Sequence, residues 1–396
     1  MKLAVFIPTR YESRYSLLAA MGGQIGDAFA RAGAIVNPTG DVRASGAVYL
    51  FLNFAQNLDT LKRWAGVDAA GRPRARTAMI QFFVDHPFAL SVGQLDQLAT
   101  LPHYRLLLPC VDDTHLLRLR WANLRPVRCL HGVPPESLVA PELIEPGHAA
   151  GGRDTDLLIA GSIHTPAELD ALRTPIPESL RPGADAMVRF MLERPLASFG
   201  QSFELCMPSG VYASDHWLFM QRVWRYVTAS LNRERRVRLV RAMQGVETSV
   251  VGPPAWGEVC DGTIRYEGEV AYADLPERLA RARVHIAWGP TQFVHSFSER
   301  LLLGLGAGCA CVADDRALVR AEFAECARLY DAADPAQARA QVDALLADRT
   351  LATTLARRGR DTVAQRHLWD HRLGAILAGA EDAMKAIAEP PPAPGA

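Results

Sequence analysis

The chain has no excess of charge of either sign: Lys and Arg together number 43, and so do Asp and Glu. That excludes a polyanion binder, nucleic acid included, whose affinity rests on bulk positive charge, while leaving room for a local phosphate pocket. The seven cysteines contain no Cys-x-x-Cys pair, and an odd, scattered set in 396 residues points to reduced thiols instead of a disulfide framework or zinc site. No apolar run reaches the roughly 18 residues that a membrane span needs. The apolar start, Leu3 to Pro8, is too short for a signal-peptide core. These absences lead to the expectation of a cytoplasmic protein without a transmembrane segment. What is present, 49% hydrophobic and 22% charged residues, is the balance of a soluble globular chain long enough for two domains.

Apolar runs alternate with helical patterns. Leu3 to Ile7, Gly46 to Asn53, Ala78 to Val84, Tyr104 to Pro109 and Val127 to Leu130 read as strands. Helices are expected near Leu17 to Ala32, interrupted at Gly22-Gly23, and near Leu58 to Ala65. Such alternation predicts a parallel, right-handed β/α/β sheet. Pro146 to Gly152 is the linker candidate by its Pro and Gly content. A second alternating unit opens at Asp156 to Ser162 and is interrupted by a mostly helical stretch over 166–231. Strands resume at Thr248 to Gly252, Thr263 to Tyr266, Val284 to Ala287, Ala310 to Ala313 and Arg328 to Tyr330. The expected organisation is α/β: an N-terminal Rossmann-like domain over 1–150 and a C-terminal one over 151–370 containing that insertion. A terminal helix over 371–389 and a disordered tail over 390–396 complete it. Two doubly wound sheets joined by one linker are expected to face across a cleft, where ligands bind.

The stretch from His295 to Val312 is the most informative. Polar, loop-like residues lead into a helix rich in Leu, Ala and Gly, which ends in a small-residue turn and an apolar strand. A helix start carrying Ser298, Glu299 and Arg300 can hold an anion with backbone N–H groups, its dipole and a fixed guanidinium together.

Two passages resemble the donor domain of GT-B glycosyltransferases of the group 1 superfamily, in particular its spore-maturation CgeB-like branch. Tyr266-Glu267-Gly268-Glu269-Val270, continuing through Leu275-Pro276 to the apolar run at Val284, is similar to the family's strand, Gly-x-Val turn, helix and buried strand. Ser298-Glu299-Arg300-Leu301-Leu302-Leu303-Gly304-Leu305-Gly306 is similar to its Arg-x-Phe-Glu-Ala-x-Ala-x-Gly segment. The resemblance covers 156–162 and 230–330, and reaches the N-terminal half as architecture only. It departs where many group 1 enzymes carry two glutamates, because those places fall on His295 and Leu303. Leu303 cannot hold ribose hydroxyls.

The resemblance implies a GT-B fold and a metal-independent transfer of a sugar from a nucleotide-diphosphate sugar, acting as co-substrate, to an acceptor hydroxyl. No other cofactor is implied, and a glycan, a protein or a small molecule all remain open as acceptor. Donor-binding residues carried over are Gly161, Ser162, Gly252, Gly268, Val270, Ser296, Phe297, Ser298, Glu299 and Arg300, with Arg300 on the diphosphate and the turn at Gly268 to Val270 on the base. His295 takes a place that faces the donor sugar in relatives. An inverting transfer needs a base near pH 7, and Asp85-His86-Pro87, at the end of a buried strand, offers Asp85 or His86. The bland alternative is a capping Asp85 and a structural His86. Asp112-Asp113 and Asp314-Asp315 lack the spacing of a metal-binding Asp-x-Asp pair, and the second reads as a helix start. Two rival readings stay open: a non-catalytic nucleotide-sugar binder, suggested by Leu303, and a GT-B-like sugar-nucleotide epimerase.

Overall fold

In a computed structural model, the described residues are 4–7, 17–37, 47–53, 78–101, 103–124, 126–144, 153–208 and 217–388. The loop at Arg10 to Tyr15, the helix expected near Leu58 to Ala65, the linker at Pro146 to Gly152 and the tail at 390–396 lie outside them. None of the described helices is long and apolar enough to cross a membrane. The chain divides into two compact units, Met1–Leu130 together with Trp369–Ala396, and His131–Leu368.

The first unit is built on β1 (Ala4–Phe6), β2 (Ile35–Asn37), β3 (Ala47–Leu52), β4 (Ala78–Phe82), β5 (Tyr104–Leu108) and β6 (Pro126–Arg128). They form one parallel sheet in the order β2-β1-β3-β4-β5-β6. Two of its interior strands, β4 and β5, are buried at every residue, which is why they read as continuous apolar runs. β2 is too short to show in a periodicity. The helix Leu17–Arg31 runs unbroken through Gly22-Gly23, correcting the expected interruption. Gly22 is buried there, so tertiary packing outweighs the propensity penalty of about 1 kcal/mol per Gly.

The C-terminal helix Leu373–Ala388 belongs to this unit and covers β4 and β5. Arg105 on β5 donates from Nε to the Asp382 carboxylate at 2.5 Å and from Nη2 to the Asp382 carbonyl at 2.9 Å. Trp369, fully buried just before it, meets Phe82 edge-on at 5.7 Å and donates to Gln24 at 3.1 Å.

The second unit carries β7 (Thr155–Ala160), β8 (Thr248–Val251), β9 (Ile264–Tyr266), β10 (Ala282–Ala287), β11 (Ala310–Asp314) and β12 (Ala327–Tyr330), all parallel. The order β9-β8-β7-β10-β11-β12 is that of a Rossmann sheet. Both units are therefore Rossmann-like, the α/β class that the sequence predicts. Between β7 and β8 lie the helices Pro166–Arg173, Arg181–Glu193, Phe199–Cys206 and the 26-residue Trp217–Ala242. Residues 131–144, placed by sequence in the N-terminal domain, pack in this unit: Val133 pairs with Leu368, and Val139 donates to the Gly306 carbonyl at 2.9 Å.

Period-two alternation on β10 sorts the layers. Val284 and Ile286 enter a core shared with Val240, Trp256, Ala338 and Val342. His285 points to the other face, against the helix Glu299–Gly306. There Gly304 lies so close that a Cβ on it would stand 2.5 Å from the His285 ring and 3.0 Å from the Cys311 sulfur. The small residues of this helix are thus packing residues that seat it on the sheet. Gly304→Ala is expected to destabilise the second unit by about 1–3 kcal/mol through overpacking, read as a lower midpoint in urea unfolding. An unchanged midpoint would contradict that contact.

His285 donates from Nδ1 to the Leu158 carbonyl at 2.9 Å, and burial pushes its pKa down to about 4. Burial, helped by Arg105, does the same to His103 in the first unit. Each ring is neutral in the folded state and gains a proton on unfolding between about pH 4 and 6.5. The stability that they contribute is complete above pH 6.5 and lost as the pH falls through that window. Denaturant titrations at pH 7 and pH 5 should differ by about 1–2 kcal/mol per histidine.

Candidate functional site

The crossovers from β7 and β10 leave in opposite directions along the sheet, so the carboxyl ends of these adjacent strands form the topological switch point of the second unit. The turns after β7, β8 and β9 converge on that edge. Gly161 follows β7, and a Cβ there would stand 2.7 Å from Arg300 Nη1 and 2.8 Å from the Trp288 ring. Gly252, after β8, donates its N–H to the Gly268 carbonyl at 2.9 Å, and a Cβ on it would run into the Gly161 carbonyl. Trp256 donates from Nε1 to that same carbonyl at 2.7 Å, and Tyr266 donates to the Gly252 carbonyl at 3.1 Å. Glycine is required at both turns because backbone and rings occupy the space of a side chain. Gly268 has φ +91 with open space beside it, and Val270 is half-buried.

Arg300 reaches this edge from the first turn of the Glu299–Gly306 helix. Its Nη1 donates to the Ala160 carbonyl, at the last residue of β7, at 3.4 Å. Its Nε is buried, has no hydrogen-bond partner and lies 3.7 Å from the Glu299 carboxylate. Only 16% of the Arg300 side chain is exposed. The other Glu299 oxygen is 3.9 Å from Nε2 of buried His131. Tyr272 is buried with its hydroxyl unpartnered, and burial first, then Glu299, raises its pKa while Arg300 opposes the shift. Ser296 is fully buried with an unpartnered Oγ. Ser298 has the extended backbone of an N-cap but makes no side-chain capping bond. Unsatisfied buried polar groups are rare in folded proteins. Here they gather at the positive end of a helix dipole, where an anion would satisfy them.

A residue outside the sequence expectations organises the approach to this helix. Arg316 is buried and pairs through Nε with the buried Asp314 at the end of β11. Its Nη atoms donate to the carbonyls of Gly289 at 2.9 Å, Pro290 at 3.1 Å and Phe293, and Asp314 accepts from the Gly289 N–H at 2.7 Å. Asn232 accepts from the Thr291 N–H at 3.1 Å and its hydroxyl at 3.0 Å. The loop after β10 is thereby fixed as far as Phe293. The loop after β7 is held by Arg236 on the Ser162 carbonyl and Arg233 on the His164 carbonyl, both from the long helix. The one signal in the sequence was an acid two residues before an arginine at the end of a buried strand.

The remaining expected residues fall elsewhere. Phe297 is committed to the core, its ring 5.1 Å from Phe323 and 5.4 Å from His367, and Leu303 is buried in the same helix. His295 is exposed on the loop. Two tryptophans outside those expectations, Trp256 and Trp288, lie with ring centroids 6.2 Å apart and tilted within the core. In the first unit, Asp85 accepts from Asn53 at 2.9 Å, while Asn53 accepts from the Val84 N–H at 2.6 Å in a positive-φ turn. His86, not Asp85, caps the next turn, accepting from the Phe88 N–H at Nδ1. Burial drives its pKa down to about 4 against the opposing pull of Asp113 and Asp112. An accepting Nδ1 places the ring proton on Nε2.

No curated protein sequence matches the chain. Sucrose-phosphate synthase from Thermosynechococcus elongatus superposes with a TM-score of 0.49 at 12% identity, over 98% of this chain and 99% of that one. HepE from Anabaena, in complex with UDP-glucose, gives 0.47 at 10% identity, over 98% and 99% of the two chains. At those scores the assignment of the fold rests on the strand order itself. Residues 233–378, from the end of the long helix through the start of the C-terminal one, match the family described as glycosyl transferase-like.

Proposed function

We propose that the protein is a glycosyltransferase of the GT-B type, close to the CgeB-like branch of group 1, acting in the cytoplasm. It moves a sugar from a nucleotide-diphosphate sugar to an acceptor hydroxyl without a metal ion. The observation that carries this reading is Arg300: a nearly buried guanidinium at the β7–β10 switch point, whose Nε makes no hydrogen bond, at the start of the Glu299–Gly306 helix. A planar fork and a helix N-terminus together suit the leaving diphosphate and take the place of a cation as charge develops on it.

Gly161 and Gly252 let Arg300, Trp288 and Trp256 close over the ends of β7 and β8 and so build the floor on which a nucleotide would rest. Ser162, Ser296 and Ser298 line its phosphate side, Gly268 and Val270 its base side, and Glu299 orients Arg300. His295, exposed on the loop before the helix, is assigned to the donor sugar. Phe297 supports the site from the core side, and Leu303 leaves the ribose to backbone groups. The first unit supplies the acceptor site, with Asp85 as base in an inverting transfer. His86 is excluded from that role because its accepting nitrogen is occupied by the Phe88 N–H; it holds the turn that carries Asp85.

A thermal-shift series with UDP-, GDP-, dTDP- and CMP-sugars identifies the donor. At a hundred times its dissociation constant, the donor should stabilise the protein by about 2.7 kcal/mol. Arg300→Ala should abolish that shift and lower kcat/KM by about two to three orders of magnitude, with Arg300→Lys recovering only part. Retention of both binding and turnover in Arg300→Ala would end the assignment. Free nucleotide should appear only when acceptor is present, whereas conversion of the donor into an epimeric sugar nucleotide without acceptor and without free nucleotide would favour the epimerase reading.

Asp85→Asn should lower kcat by about two to four orders of magnitude while leaving donor binding intact. His86→Gln should keep the pH profile of kcat between pH 5 and 8, because His86 does not titrate there. A profile that loses a limb in that variant would reassign the base.

A further inference from the structure

Behind the switch point, the second unit encloses a small cavity of about 20 Å³ lined by Asn232, Arg235, Arg236, Asp314, Arg316 and Tyr330, among others. The charges around it do not balance. Arg316 is matched by Asp314, with every guanidinium nitrogen of that arginine bonded. Arg300, farther along the edge, lies beside Glu299. Among the described residues, Arg235 and Arg236 are left without a carboxylate of their own.

Their donors are under-used as well. Arg235 donates to the Met191 carbonyl at 2.5 Å and, more weakly, to the Thr291 hydroxyl at 3.5 Å, but its Nε has neither partner nor solvent contact. Arg236, 6% exposed and lying 5.3 Å over the Trp288 ring, has one hydrogen bond, to the Ser162 carbonyl. The acceptors nearby are already engaged: Asp314 by Gly289 and Arg316, and the Asn232 carbonyl by Thr291. The cavity therefore offers N–H donors and excess positive charge, and its size admits one water-sized guest. Water could accept from both guanidinium groups through its oxygen but would leave their charges uncompensated, whereas a monatomic anion accepts from both and neutralises charge. A tetrahedral oxyanion is too large.

We propose that this cavity is a structural site for a single halide-sized anion, chloride in physiological salt, held by Arg235 and Arg236. The anion compensates the two unmatched guanidinium charges and so fixes the long helix against the loop after β7. Burial and the neighbouring Arg316 pull the Arg235 pKa down to about 10, and burial and Arg300 pull that of Arg236 down too, the direction expected of cations lacking a counter-charge. The site is independent of sugar transfer.

The test is the thermal midpoint of the full chain in sodium chloride, sodium bromide, sodium gluconate and sodium sulfate at matched ionic strength. Chloride and bromide should raise it by roughly 3–5 °C per tenfold increase above the dissociation constant, and gluconate and sulfate should not. Arg235→Leu should lose this dependence and, in gluconate, be at least as stable as the parent, since it removes one of two uncompensated charges. A crystal grown in bromide should show an anomalous peak within hydrogen-bond reach of both guanidinium groups. Equal midpoints in chloride and gluconate, a bromide map empty at this place, or a chloride response that survives in Arg235→Leu would each overturn the proposal. UDP is the control for the neighbouring site: if UDP abolishes the chloride response by competition, Arg235 and Arg236 belong to the nucleotide site and the halide assignment falls.

Discussion

The buried pair of Asp314 and Arg316 governs what the second unit can present at its sheet edge. Taking two charges out of water is expensive, and such a pair persists only when its remaining donors and acceptors are satisfied. Here the satisfaction comes from the backbone of one loop, through the carbonyls of Gly289, Pro290 and Phe293 and the N–H of Gly289. A loop that would otherwise be free to choose among conformations is tied to the end of β11. Since that loop leads straight into the Glu299–Gly306 helix, the direction in which Arg300 points is set from several residues away.

The same economy of space recurs at the ends of β7 and β8. Gly161 and Gly252 have ceded their side-chain volume to Arg300, Trp288, Trp256 and each other's backbone. The result is a rigid floor of ring and peptide with polar atoms along its rim. In the proposed sugar transfer this rigidity would matter, because electrostatic stabilisation of a leaving group is effective only when the donors need no rearrangement as charge appears. Packing on one face of β10 and polar chemistry at its end are thus one construction, with Gly304 seating the helix below and Arg300 emerging above.

Much of this was legible in the residues. The alternation of β7 to β12 with helical segments and the place of Arg300 in the first turn of a helix both follow from local patterns. What escaped was non-local. β2 is three residues long and carries no periodicity. Gly22-Gly23 looked like a break because propensity favours one, but burial of that helix face overrides it. The spacing of Asp314 and Arg316 was the one signal of that pair, but nothing in it showed that three carbonyls complete it, since such bonds exist only once the loop has folded back. The tautomer of His86 is set by a neighbouring turn, a matter of backbone direction that residue type does not encode. Residues 131–144 changed sides because Val133 finds Leu368, more than two hundred positions along the chain.

That last pairing, with the return of Leu373–Ala388 to β4 and β5, has a consequence for biosynthesis. The second unit is a continuous piece of chain, so it can finish folding before Leu373–Ala388 has been made. The first unit starts earlier yet has to wait, with β4 and β5 lacking that helix until then. An apolar sheet surface left uncovered during synthesis is exposed to misassembly for as long as the second unit takes to be made.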